Sequence, residues 1–252
     1  MFARITFILL PLVFPLLCSG CQRGSSSPIP VAPDTSPSAP VTEVPASLTG
    51  QYAMAVPHGK PLAIDGAISP GEWDNARVET FSDGSELLLM YDEGYLYLGV
   101  RANTPEMIGG NVFIDHGDEI AILHVSAALG TALYEKGMDS WQQTQGFVWR
   151  CRRTDSSEVA QAERDAFLGE EHWVAANSRM GSPNELEYQI EMSVENLRLA
   201  VSFIRASNPD VKTPWPKDLD DDCIKPTPGE MPDQLRFSPD RWATVAMPYS
   251  ES

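Results

Sequence analysis

The sequence predicts an all-β fold, an antiparallel β-sandwich of the immunoglobulin or jelly-roll kind with short helical insertions. The clearest observation is the run ELEYQIEM at 185–192, in which polar and apolar residues alternate at every position. Such alternation is typical of an antiparallel strand with one buried and one solvated face. Other short runs of this kind are separated by turn residues, and only residues 156–168 show an extended helical pattern. Many short strands and one helix favour two packed sheets.

Residues 1–20 have the features of a secretory signal peptide. Arg4 precedes an apolar run from 5 to 17, which is too short to cross a bilayer, and small residues follow it. We therefore expect the protein to be exported.

The end of this signal resembles the lipobox of bacterial lipoproteins. Ser19 and Gly20 directly precede Cys21, although Cys18 stands where that motif usually has leucine. The resemblance implies that Cys21 is lipidated and anchors the protein to the bacterial cell envelope, with its domain in the periplasm or outside the cell. The alternative is an ordinary cleaved signal and a soluble exported protein.

Residues 21–52 predict a disordered, Pro/Ser-rich tether. Residues 22–50 contain six prolines and no aromatic residue. Such a segment cannot bury enough apolar surface to offset the entropy lost on ordering. The folded domain is therefore expected to occupy residues 53–249.

The domain is expected to begin with a turn, a short helix and a β-hairpin. Asp65-Gly66 predicts the turn, and Ser69 can cap a one-turn helix that points Trp73 and Ala76 inward. Two alternating runs follow, SELLLMYD at 85–92 and YLYLGVRA at 95–102, joined by a short loop containing Gly94.

The rest of the domain is expected to consist mainly of strands. The helical pattern at 156–168 predicts one inserted helix. The predicted strands are 111–114, 118–125, 131–135, 146–152, 171–176, 185–192, 198–206 and 241–247.

The order of these elements resembles the opening of family 9 carbohydrate-binding modules, within the wider group of DOMON-like β-sandwiches. Later strands of that group are similar to the runs at 118–122 and 187–191, whereas Asn103 stands where the family usually has an aspartate. The resemblance implies a membrane-anchored lipoprotein that recognises a glycan without catalysis.

Charge narrows the range of partners. The formal net charge is −17, and loss of residues 1–20 removes one arginine, leaving 17 basic and 35 acidic residues and a charge of −18. Nucleic acid is not expected as a partner, because phosphate binding needs clustered Lys and Arg. Anionic lipid headgroups would also be repelled, so membrane contact is expected through the lipid anchor alone.

Catalytic motifs are missing from the sequence. It contains no nucleophile elbow, phosphate-binding loop, dinucleotide fingerprint or zinc-binding His-Glu-x-x-His helix. We therefore expect the protein to bind a ligand without catalysing a reaction. Of the four cysteines, Cys18 lies in the signal peptide and Cys21 is the expected lipidation site. The other two, Cys151 and Cys223, could pair in an oxidising compartment or stay free.

Aromatic residues are the candidates for glycan binding. Sugar rings pack their C–H faces on indoles, and flanking polar groups fix their hydroxyls. Trp73 and Trp242 are assigned to the core. The predicted ligand-binding residues are Trp141, Trp149, Arg150, Trp173 and Trp215. A tryptophan in a strand, such as Trp149 or Trp173, is more often a core residue than a ligand platform, whereas for Trp141 and Trp215 an exposed platform and a core position both stay open.

No cofactor is expected under the glycan hypothesis, apart from a structural calcium ion. Alternating carboxylates at Asp218, Asp220 and Asp222 suit calcium, and the alternative for this run is a solvated acidic turn.

Two other functions remain open. Some DOMON-like sandwiches bind haem b through axial methionine and histidine or lysine, and the candidates here are His124, His172, Met138 and Met180. The domain could also be an envelope interaction protein without a sugar site.

Overall fold

The computed structural model describes residues 52–151, 157–178, 184–194, 196–219, 221 and 231–247. The predicted signal peptide, the lipidation site at Cys21 and nearly all of the tether lie outside these residues. Along the described chain the elements are β1 Ala53–Ala55, β2 Arg77–Thr80, β3 Glu86–Asp92, β4 Tyr95–Arg101, β5 Ile108–Asp115, β6 Glu119–Val125, β7 Leu129–Lys136, β8 Trp141–Gln145, α1 Glu158–Glu171, β9 Trp173–Asn177, β10 Glu185–Glu191, β11 Asn196–Arg205, β12 Asn208–Trp215, β13 Gln234–Leu235 and β14 Ala243–Ala246. A 3₁₀ turn covers Pro239–Arg241.

These strands form two sheets, which confirms the predicted all-β sandwich. The larger sheet has the order β1-β14-β11-β5-β6-β7-β8-β13, and β12 also pairs with β11. The smaller sheet has the order β2-β3-β4-β10-β9. Neighbouring strands are antiparallel except for β1 and β14. The described part of the chain has no helix with the length and apolarity needed to cross a lipid bilayer.

The main core lies between the sheets. Alternate residues of β3 and β4 point into it, as the hairpin pattern predicts, and Leu87, Leu89, Leu96 and Leu98 are fully buried. Complete burial of a leucine side chain stabilises the fold by about 1.5–3 kcal/mol. The hairpin and its inward face are thus confirmed.

A second apolar cluster lies on the opposite face of the larger sheet. Phe113, Ile120, Ile122 and Tyr134 project from β5, β6 and β7 away from the main core, and they are covered by Phe237 and its C-terminal neighbours. Consecutive residues of these strands are therefore buried on opposite faces, as in a sheet covered on both sides.

The outer face of the smaller sheet is also covered. Trp73 packs over Gly99, where an added Cβ would lie 3.2 Å from the indole, and Trp73 is 5% exposed. Glu187 on β10 lies beneath this segment and is fully buried. The prediction of a uniformly solvated face for 185–191 is therefore wrong at Glu187.

Several predicted elements differ from the structure. The helix is confirmed but runs from Glu158 to Glu171, with Ser157 as its N-cap. No strand forms over 146–151, where only Arg150 bridges to Leu129. The one-turn helix after Ser69 is a series of turns. The side chain of Glu72 nevertheless accepts the Ser69 N–H at 3.0 Å, as in the reciprocal half of a capping box.

Candidate functional site

A cleft of about 570 Å³ opens between the two sheets, beside β9 and the C-terminal end of α1. The smaller sheet ends at β9, whereas the larger sheet continues through β7 and β8. This volume is within the range of small-molecule binding pockets. We call it the inter-sheet cleft, and its lining residues are Ile114, His116, Glu119, Ala121, Leu123, Thr131, Leu133, Glu170, Glu171, His172, Trp173, Ile190, Glu191 and Ser193.

The floor of the inter-sheet cleft is apolar. Ala121 and Leu123 come from β6, Leu133 from β7, and Ile190 from β10 on the opposite sheet. These are the residues that strand alternation turns toward the interior of the sandwich. The floor is therefore part of the main core surface that the shorter sheet leaves uncovered.

The rim of the inter-sheet cleft carries carboxylates and imidazoles. Glu170 and Glu171 form the last turn of α1, Glu119 begins β6 and Glu191 ends β10. His172 follows α1 directly, in a left-handed conformation with φ 61°, and caps the helix by donating its N–H to Leu168. The rim thus brings together groups from three distant parts of the sequence.

A chain of hydrogen bonds fixes one wall of the cleft. The indole N–H of Trp173 donates to Thr131 Oγ1 at 2.9 Å. Thr131 Oγ1 in turn donates to Glu171 Oε2 at 3.1 Å. Arg150 forms ion pairs with Glu171 and, at 2.5 Å, with Glu170. This side of the rim is therefore held before any ligand arrives.

Another part of the rim is held by a histidine–carboxylate pair. His172 Nδ1 lies 2.7 Å from Glu191 Oε2. The backbone N–H of Glu191 also donates to the carbonyl of His172 at 2.8 Å. Both side chains are substantially exposed, so they can turn polar atoms toward a ligand.

Three of the predicted ligand-binding tryptophans are buried, and of the two alternatives for Trp141 and Trp215 the core position is the one observed. Trp141 packs in the second apolar cluster, 6.1 Å from the Phe237 ring. Trp215 ends β12 opposite Val201 and lies in the main core at 2% exposure. Trp173 also belongs to the core, yet it borders the inter-sheet cleft. Trp73 and Trp242 are core residues, as predicted.

Trp149 is exposed but lies away from the cleft. Its ring stacks on Phe147 at 4.9 Å, meets the His124 ring at 5.2 Å and covers Gly130. Gly130 and Thr131 are consecutive on β7 and face opposite sides of the larger sheet. Trp149 therefore occupies the outer side, whereas the cleft opens on the inner side.

The position of Arg150 differs from the predicted one. Its guanidinium, expected to contact ligand, is engaged by Glu170 and Glu171 and lies 5.7 Å from the Phe167 ring centre. It therefore acts on the cleft through these two glutamates.

The predicted calcium ligands are only partly within the described chain. Asp220 and Asp222 lie outside it. Asp218 accepts a hydrogen bond from Tyr52 and, through its carbonyl, from Arg241 at 2.5 Å. The described residues contain no group of three or more acidic, histidine or cysteine side chains arranged to hold a metal. Asp218 thus has hydrogen-bond partners within the protein, and the calcium site stays a prediction.

Three of the four candidate haem ligands, His124, His172 and Met138, lie in the described part of the chain. The ring nitrogens of His124 lie 2.7 Å from Asn111 Oδ1 and 2.9 Å from Ser126 Oγ, and burial lowers its pKa to about 4. His172 pairs with Glu191, and Met138 is fully exposed. Met180 lies outside the described residues. His124 and His172 thus face different surroundings, and the candidates within the described residues form no axial pair across one apolar pocket.

The cysteine alternatives are resolved for Cys151. Its thiol is free and buried, and burial raises its pKa to about 11. Cys223 lies outside the described residues. Of the two alternatives left by the sequence, the free thiol at Cys151 is the one observed.

Comparisons with known proteins give one distant likeness. No protein-family model matches the chain, and no curated protein matches it. A solved structure from Bacteroides uniformis, described as a proposed carbohydrate-binding protein, shares 12% sequence identity with a TM-score of 0.44. The match covers 78% of this chain and 99% of that one. At this distance the likeness assigns neither family nor ligand.

Proposed function

We propose that this protein binds an uncharged saccharide in the inter-sheet cleft and does not transform it. The observation that carries the proposal is the cleft itself, which combines an apolar floor with a rim of oxygen and nitrogen side chains. Concave sites with an apolar lining and a few convergent polar groups are the usual form of small-ligand sites.

The chemistry of the lining suits a sugar ring. The C–H groups of a pyranose can pack on Leu123, Leu133 and Ile190. Its hydroxyls can donate to the rim glutamates and exchange hydrogen bonds with Ser193. Anionic sugars are disfavoured, because they would approach four carboxylates and the −17 charge of the whole chain.

The rim favours holding a ligand over reacting with it. Glu171 is engaged by Thr131 and Arg150, Glu170 by Arg150, and Glu191 by His172. Fixed acceptors of this kind orient hydroxyl groups at low entropic cost.

We also propose that a lipid on Cys21 and the tether at 21–52 hold the binding domain at the cell envelope.

A glycan array followed by calorimetry tests the proposal. Ser193 is exposed and borders the cleft, so Ser193→Trp should fill it and reduce affinity for neutral glycans at least tenfold, or about 1.4 kcal/mol. Val194→Trp is the matched control, because Val194 is the next residue, is 50% exposed and does not line the cleft. Equal affinity in both variants would place the ligand elsewhere, and an array without a bound glycan would refute the proposal.

A further inference from the structure

Arg150 is placed to control the charge of the inter-sheet cleft without lining it. Its backbone is fixed beside β7 by two hydrogen bonds with Leu129, of 2.8 and 2.9 Å. From there its guanidinium reaches Glu170 and Glu171, both of which line the cleft. The lining itself contains no lysine or arginine among the residues that the structure describes.

The single positive charge of Arg150 does not balance the two negative charges of its glutamate partners. One guanidinium faces two carboxylates, and its side chain is 41% exposed. Glu119 and Glu191 add two more acidic groups to the rim, and the imidazoles of His116 and His172 are the remaining titratable groups of the lining. Without Arg150 the described lining would hold four carboxylates and, as groups that can carry positive charge, these two histidines. A ligand ammonium group would then gain partners that Arg150 now occupies.

We propose that Arg150 is a specificity-determining residue, which keeps the cleft selective for uncharged sugars over amino sugars by occupying Glu170 and Glu171. This inference rests on the proposed function. An ammonium group entering the cleft must displace the guanidinium or leave its own charge unpaired, and either outcome costs binding free energy. A neutral hydroxyl can accept or donate beside the existing ion pairs without breaking them.

The test compares three pyranoses that differ in charge: glucose, glucosamine and glucuronic acid. Calorimetric titrations of each into wild-type protein and Arg150→Gln give the ratio of the glucosamine and glucose association constants. Arg150→Gln should raise this ratio about tenfold, because two carboxylates lose their internal cation. Arg150→Lys keeps the charge and should restore a ratio close to that of wild type.

Arg101→Gln is the matched control. Arg101 is 43% exposed and also bridges two carboxylates, Glu86 and Glu185, which do not line the cleft. Its loss should leave the ratio unchanged while costing a similar ion-pair contribution to stability. A merely structural role for Arg150 would lower affinity for glucose and glucosamine in proportion and would not change their ratio.

A second variant covers the case in which Arg150→Gln does not fold. Replacing both Glu170 and Glu171 by glutamine frees the guanidinium, so binding should shift toward glucuronic acid. Unchanged selectivity in the folded variants overturns the inference and leaves the proposed function intact. Absence of binding of all three pyranoses to every variant also overturns it, whereas the glycan array decides the proposed function independently.

Discussion

At the scale of single residues, Glu187 shows how a buried carboxylate joins distant segments. Its Oε2 accepts the backbone N–H of Gly66 at 2.9 Å and of Asp65 at 3.1 Å, and its Oε1 accepts the indole N–H of Trp73 at 3.1 Å. These contacts attach the turn at 65–66 and the following segment to the centre of β10. Burial raises the pKa of Glu187 to about 7, against an ordinary value of 4.5.

This raised pKa predicts a pH-dependent stability. Between pH 4.5 and about 7 the folded protein holds the Glu187 proton that the unfolded chain has lost. The free energy of unfolding should therefore decrease as pH rises through that window. Urea unfolding of wild type and Glu187→Gln across the window should show a flatter slope in the variant. Glu86→Gln is the exposed control, and identical slopes in wild type and Glu187→Gln would contradict the assignment.

Trp149 provides a second test at this scale. It is the exposed indole among the predicted binding residues, at 37% exposure, and lies on the outer side of the larger sheet. If saccharides bind in the inter-sheet cleft, Trp149→Ala should change glycan affinity less than about twofold, because the Trp149 ring packs on the other side of the sheet and does not line the cleft. A loss above about 1 kcal/mol in calorimetry would instead place a stacked sugar on Trp149.

Which tryptophans are exposed could not be predicted from local sequence. Trp215 stands between two prolines, a setting typical of a stiff loop, but pairing of β12 with β11 places its indole in the core. Trp141 begins β8, and its burial depends on Phe237, almost a hundred residues later. Burial of such side chains is set by long-range packing, which periodicity does not report.

At the scale of elements, the alternation of polar and apolar residues predicted strands that bury one clear face. It missed strands whose sequences lack that alternation. The hairpin β3–β4, β10 and the helix α1 are confirmed. Strand β12 contains Pro209 and Pro214, and prolines argue against a strand. They are tolerated here because β12 pairs on one side only, with β11. The run at 146–152 has strand composition, yet its aromatic side chains pack across the sheet surface.

The second apolar cluster yields a prediction about the C-terminal segment. Phe237 is 8% exposed, and its ring lies 5.7 Å from Tyr134 and 6.0 Å from Trp242. Phe237→Ala should lower the free energy of unfolding by about 3–5 kcal/mol, because it leaves a cavity under this cover. Chemical denaturation measures the change, with the exposed Val211→Ala as control. A loss below about 1 kcal/mol would show that the segment contributes little to stability.

The residues of the inter-sheet cleft could be predicted only in part, because long-range packing brings most of them together. Trp173 and Arg150 were identified from the sequence, and both contact its rim or floor. Glu119, Glu170 and Glu191 were missed because nothing local distinguishes them from the other acidic residues. They come together through the pairing of β5, β6 and β7 and the placement of α1 beside β9.

At the scale of the whole molecule, the described segments cover part of the outer face of each sheet, and the main core fills much of the space between the sheets. The turn-rich segment around Trp73 covers the smaller sheet, and the segment around Phe237 covers the larger one. The inter-sheet cleft remains where the smaller sheet stops at β9. The architecture thus forms an opening with an apolar floor and a polar rim, which is where saccharide binding is proposed.

The most direct test follows the indole N–H signals during a glycan titration by NMR. The chain has six tryptophans and therefore six such signals, of which Trp173 borders the cleft and Trp149 lies on the opposite face. A neutral glycan in the cleft should shift the Trp173 signal, whose N–H donates to Thr131, and leave that of Trp149 in place. A shift of Trp149 with Trp173 unmoved would contradict binding in the inter-sheet cleft.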